Sequence, residues 1–121
     1  VTSREFEKLV EDGLALIPSE LRALISNVQI IIEDEPSAEL LDAMGVPEDE
    51  TLFGLYAGTP LTERTAQYSA LPDRITIFRR PLLEEFDDSD ELRREVARTV
   101  IHELAHHFGI REERLAELGW D

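Results

Sequence analysis

No cysteine occurs among the 121 residues, which excludes disulfides, thiolate metal sites and thiol catalysis together. A chain without thiols suits a reducing compartment, and a cytoplasmic location is expected. Long hydrophobic runs are missing too. None approaches the roughly 20 apolar residues that span a bilayer, and the polar opening Thr2-Ser3-Arg4-Glu5 has no secretory core. Neither membrane insertion nor Sec-type export is expected. Positive charge is scarce: 12 Lys and Arg stand against 27 Asp and Glu, a formal net charge of −15. Lys8 is the sole lysine, and no base falls between Arg22 and Arg64, where Glu33, Asp34, Glu35, Asp42 and Glu50 all lie. Phosphate backbones need cations to neutralise them, so no nucleic-acid partner is expected. The acidic stretch reads as a solvated face, or as a field that draws cations and basic peptides.

What is present is an ordinary globular composition, 42% hydrophobic and 32% charged, in a chain sized for one domain over residues 1–121. Thr2 and Glu5 form a capping box before Phe6, Leu9, Val10, Gly13, Leu14 and Ile17, which keep helical spacing until Pro18. Ser19 to Ile25 suits a short second helix. Ile30, Ile31 and Ile32 in Val28–Glu33 suggest a strand buried on both faces. Ser37 to Met44 reads as a short capped helix closed by Gly45. Leu52 to Gly58 is a strand carrying Tyr56, with Gly54 as a bulge or point of close approach. Thr59 to Pro72 is a long connection without a pattern of its own. Arg74 to Arg79 gives a third strand around Ile75, Ile77 and Phe78, and Pro81 opens a helical turn through Phe86. The whole is an α+β arrangement.

The chemistry concentrates between Asp88 and Trp120. Asp88 and Glu91 start a helix whose apolar stripe runs Leu92, Val96, Val100, Leu104 and Phe108, and Gly109 closes it. Inside stands His102-Glu103-Leu104-Ala105-His106, an HExxH motif. Residues four apart return to nearly the same helix face, so His102 and His106 can aim two imidazole nitrogens at one point. Glu103, on the neighbouring azimuth, reaches a metal-bound water without itself being a ligand. Two ligands plus a general base is the arrangement of a zinc hydrolase. His107 projects away from the shared face and reads as a packed, hydrogen-bonded histidine. A zinc ion needs at least one more donor, and Glu112, Glu113, Glu117 and Asp121 follow shortly.

The extended run His102-Glu103-Leu104-Ala105-His106-His107-Phe108-Gly109-Ile110-Arg111-Glu112 has the form HExxHxxGxx(D/E), and with it the chain resembles the minimal zincins, a family of small bacterial zinc metallopeptidases. The likeness extends to Gly54-Leu55-Tyr56-Ala57-Gly58-Thr59-Pro60-Leu61-Thr62, to Leu71-Pro72-Asp73-Arg74-Ile75-Thr76 and to Leu115-Ala116-Glu117-Leu118-Gly119-Trp120. It implies an α+β, zincin-like fold in which a small mixed sheet packs against the active-site helix, followed by a short C-terminal helix. It also implies one Zn2+ per chain, held by His102, His106 and Glu112, with Glu103 as the catalytic base. Metzincins differ, having a histidine where Glu112 stands and a methionine turn below the metal; here the only methionine, Met44, is upstream.

Gly109 can take the left-handed conformation that reverses the chain and swings Glu112 back toward the metal, while Glu113 points elsewhere. The expected activity is zinc-dependent hydrolysis of peptide-like bonds in a peptide or protein substrate, a basic one being favoured by the acidic field. Tyr56 and Tyr68 are candidates to assist the oxyanion, and Leu52–Gly58 offers an edge to an extended substrate. The alternative is a non-catalytic metal-binding module for protein interaction. A nuclease is disfavoured by the charge.

Overall fold

The capping box forms at the start of the chain. In the computed structural model, which describes residues 2–47, 50–58 and 73–121, the Glu5 amide donates to Thr2 Oγ1 at 3.1 Å and the Thr2 hydroxyl donates to Glu5 Oε1 at 3.1 Å. Helix α1 then spans Ser3–Ala15 and α2 spans Ser19–Ile25, with Pro18 between them. Strand β1 is Val28–Glu33, α3 is Ala38–Ala43, β2 is Gly54–Ala57 and β3 is Asp73–Phe78. Helix α4, Arg79–Glu85, continues directly from β3 and carries Pro81 within its first turn, so the helix begins ahead of the proline expected to open it. The long α5, Ser89–Phe108, and the short α6, Glu112–Glu117, complete the order. The connection expected over Thr59–Pro72 lies outside the described residues.

Among the described residues, three strands form a mixed sheet in the order β1-β3-β2. β1 runs parallel to β3, with Ile30 opposite Ile75, and β2 runs antiparallel to it, with Tyr56 opposite Ile75. The triple isoleucine therefore does not mark a strand buried on both faces. β1 is at the sheet edge and its residues are half-buried at best. The central position belongs to β3, where Ile75 and Ile77 are fully buried. A run of isoleucines satisfies an edge strand equally well when one helix covers one face, and β neighbours cannot be read from composition.

One sheet face, carrying Ile30, Ile75 and Ile77, shares a core with α5, and α1 packs along α5 with Val10 and Leu14 beside Ile30 and Ile32 of β1. Phe6, Leu9 and Val10 of α1 meet Leu92, Val96 and Val100 of α5 in the same core. Burying a side chain of this size contributes about 1.5–3 kcal/mol before chain entropy is subtracted. The helices approach closely at Gly13, where a Cβ would stand 2.6 Å from the Arg93 carbonyl oxygen. A glycine inside α1 is thereby explained: it lets α1 approach the backbone of α5. Among the described residues, no helix is long and apolar enough to cross a membrane.

Candidate active site on the HExxH helix

Helix α5 starts where the acidic cap was expected. Asp88 is its N-cap and accepts the Glu91 amide at 3.0 Å. At the other end Gly109 adopts φ +69°, and the Ile110 amide closes back on the Ala105 carbonyl at 2.9 Å. The buried side Leu92, Val96, Val100, Ile101 and Leu104 holds the helix on the sheet, which leaves the polar residues of the motif at its margin. The buried stripe ends one turn earlier than its period suggests: Phe108 is 46% exposed, with its ring edge-on to Tyr56 at 6.3 Å.

His102 is half-buried, and its Nε2 lies 3.1 Å from the Trp120 carbonyl oxygen. A carbonyl only accepts, so in the neutral ring Nε2 carries the proton and Nδ1 keeps the lone pair. Trp120 is in place because α6 ends in a Schellman turn. Gly119 has φ +82°, its amide donates to Ala116 O at 3.0 Å, and the Trp120 amide donates to Leu115 O at 2.8 Å. The indole is buried, and the Arg94 guanidinium lies 4.6 Å from its ring centre. Arg94 is two turns ahead of His102, so the Gly119–Trp120 turn lies along one stripe of α5. Sequence reasoning did not find this carbonyl. Nothing in the sequence indicates which side chain a turn at Gly119-Trp120 meets.

Glu103 is also half-buried, and its Oε1 accepts the backbone amide of Tyr56 at 2.9 Å. The expected close approach at Gly54 accounts for this proximity: a Cβ there would stand 2.6 Å from Thr99 Cγ2 on α5. The Tyr56 hydroxyl donates to Asp73 Oδ2 at 2.6 Å. Its hydrogen is thus committed to a carboxylate, which corrects the expectation that Tyr56 assists an oxyanion; Tyr68 lies outside the described residues. His107 does pack, its ring stacked on Tyr56 at 3.9 Å and 17°, with 40% of its side chain exposed.

His106 is exposed one turn beyond His102. Glu112 is the first residue of α6 and exposed, and Glu113 and Asp121 are exposed as well. Among the described residues, no three His, Asp or Glu side chains gather closely enough to hold a metal ion. The structure thus sets the two motif histidines on one helix and brings Glu103 to β2, but it does not bring Glu112 to the histidines. The donor chemistry nevertheless fits zinc. Two neutral imidazoles at i and i+4 with a carboxylate are zinc ligands by type. A histidine that gives one ring N–H to a backbone carbonyl, as His102 does to Trp120, is oriented as metal-bound histidines commonly are.

The chain is 24% identical to a conserved hypothetical protein from Thermus thermophilus, with a TM-score of 0.59 over 96% of this chain and 98% of that one. At that identity the likeness shows a shared fold. No curated protein matches the sequence. The family model of zincin-like metallopeptidases matches residues 25–120, a span that takes in β1, the whole sheet and the HExxH helix. With the motif on a capped helix against a mixed sheet and the match covering most of its length, this chain belongs to the zincin-like metallopeptidase family.

Proposed function

We propose that the protein is a zinc-dependent metallopeptidase in which His102, His106 and Glu112 hold one zinc ion per chain and Glu103 is the general base. The observation that carries the reading is the position of Glu103. It follows His102 directly on α5, and its carboxylate is fixed at the outer edge of β2 by the Tyr56 amide. Zinc, when bound by such a donor set, makes a water more acidic and polarises a carbonyl. Glu103 would take the proton of the attacking water and hand it to the leaving amine, a transfer worth typically 10²–10⁴-fold in rate. Glu112, which follows the turn that Gly109 makes at φ +69°, would be the third donor. An extended peptide lying along β2, with basic side chains favoured by the net charge of −15, is the substrate class in keeping with these features. The cytoplasm is the compartment that a chain without cysteine suits.

The test separates binding from turnover. His102→Ala and His106→Ala should each abolish tight zinc binding, measured as metal content after purification without added metal. Glu103→Gln should keep one equivalent of zinc and lose hydrolysis of a labelled casein substrate. Full activity in Glu103→Gln removes Glu103 as the base. Zinc in the wild type without hydrolysis of any peptide in a library favours the alternative, a metal-binding interaction module.

A further inference from the structure

We infer that Tyr56 and Asp73 are positioning residues for Glu103: the Tyr56 main-chain N–H fixes the Glu103 carboxylate, and Asp73 fixes Tyr56. The inference rests on the peptidase reading only for what Glu103 does.

The direction of the Tyr56 amide follows from the strand register. The Phe78 amide donates to Phe53 O at 2.9 Å, and Leu55 stands opposite Thr76. In an antiparallel pair the hydrogen-bonded positions alternate, so Phe53, Leu55 and Ala57 turn their polar groups to β3, and Gly54 and Tyr56 turn theirs outward. The Tyr56 N–H therefore needs a partner from outside the sheet, and Glu103, 47 positions away in sequence, is that partner. A bond from an amide to an ionised carboxylate is stronger than one between neutral groups. It occupies Oε1 and leaves Oε2 for a reacting proton.

Among the described residues β2 is an edge strand of four residues, a weak base for such a contact, because short edges open locally at low cost. The Tyr56 side chain supplies the missing rigidity. Its hydroxyl donates to Asp73 Oδ2 at 2.6 Å, and its ring is covered by His107 at 3.9 Å. Asp73 opens β3 on the same sheet face as Ile75, which stands opposite Tyr56. Its carboxylate also fills the space over the end of β2: a Cβ on Gly58 would meet Asp73 Oδ1 at 2.7 Å. Asp73 thus holds β2 at the Tyr56 hydroxyl and lies close over Gly58 just beyond the strand, and the strand so held presents the amide to Glu103.

The experiment follows hydrogen exchange of the residue-56 amide in the full 15N-labelled chain, with and without one equivalent of zinc. Glu103→Ala should speed exchange at that amide by about tenfold or more, the equivalent of one hydrogen bond to a charged acceptor. Asp73→Ala and Tyr56→Phe should speed it in the same direction. Asp73→Asn, which still offers an acceptor to the hydroxyl, should restore most of the protection. Melting curves identify any variant that has lost its fold, and Tyr56→Phe removes only one oxygen. Wild-type exchange at residue 56 in both Asp73→Ala and Tyr56→Phe overturns the inference. In turnover of labelled casein, Asp73→Ala should lower kcat roughly tenfold with KM and zinc content unchanged, and Asp73→Asn should recover it. If exchange responds as expected while neither Asp73→Ala nor Glu103→Gln changes turnover, the positioning of Glu103 stands and the peptidase reading fails.

Discussion

Gly54 of β2 lies so close to Thr99 of α5 that a Cβ on it would stand 2.6 Å from Thr99 Cγ2 and 3.0 Å from the Thr76 carbonyl oxygen. That contact fixes the distance between the sheet edge and the helix bearing the motif. Without it Glu103, one turn further along α5, would be out of reach of the Tyr56 amide. Gly54→Ala should therefore destabilise the fold by about 1–3 kcal/mol, the usual cost of overpacking. Thr99→Ser removes the clashing methyl, so the double variant should recover part of that loss in denaturant titrations. Additive effects of the two substitutions would show that strand and helix do not meet there.

Glu112 and Glu113 open the same helix and are both exposed, so only the turn before them separates their roles. If Glu112 is the third zinc donor, Glu112→Ala should weaken zinc binding at least about tenfold more than Glu113→Ala. That is a conservative floor, since changes even outside the ligand shell typically cost 10–100-fold. Competition with a zinc chelator measures both. A reversed ranking would place the turn one residue off.

Asp88 caps the helix at the end away from the motif. Asp88→Ala should cost about 0.5–2 kcal/mol of stability, as lost N-caps do. Zinc affinity should be unchanged, because the cap and His102 are separated by more than three turns. Loss of zinc binding at full stability would show a coupling that the fold does not provide for.

The α2 and α6 helices are tied by Arg114, whose Nε donates to Glu20 Oε2 at 2.9 Å, a second guanidinium nitrogen also contacting that carboxylate. The hydrogen bonds from Arg114 hold the Glu20 carboxyl below its ordinary value of 4.5. A carboxylate whose pKa is lower in the folded than in the unfolded chain contributes stability that is complete above the unfolded value and lost as pH falls through the folded one. Both groups are exposed, so the contribution is small. The gap in melting temperature between wild type and Glu20→Gln should be open at neutral pH and close on acidification below the ordinary value of 4.5. A gap that persists in acid would mean that the substitution removes packing rather than charge.

Local signals explain why so much of the fold was legible. Thr2 with Glu5, Ser37 before α3, Asp88 with Glu91, and the left-handed Gly45 and Gly109 are interactions between residues three to five apart, so they bounded α1, α3 and α5 almost to the residue. The motif on α5 was legible for the same reason, since an i, i+4 pair needs only the helix. β1 was misjudged because burial of a strand depends on its neighbours, and β3, 45 positions later, took the centre. The exposure of Phe108 is not legible in the sequence, because helical period says which face a residue shares but not how much of that face its neighbours cover.

By itself the sequence determined the helices, most of their caps, the family pattern and which side chains are candidates for the chemistry, because all of these are set by residue type and by spacing along the chain. Only the tertiary structure decided what those side chains touch. Glu103 meets the Tyr56 amide 47 positions away, and His102 meets the Trp120 carbonyl 18 positions away. In both cases one partner is a main-chain group, which every residue carries, so no residue type announces it. The physical reason is that a backbone N–H at a strand edge, or a carbonyl beyond a Schellman turn, is directed by register and turn geometry. Both arise only when β2 packs on α5 at Gly54 and when the α6 cap folds Trp120 beneath Arg94.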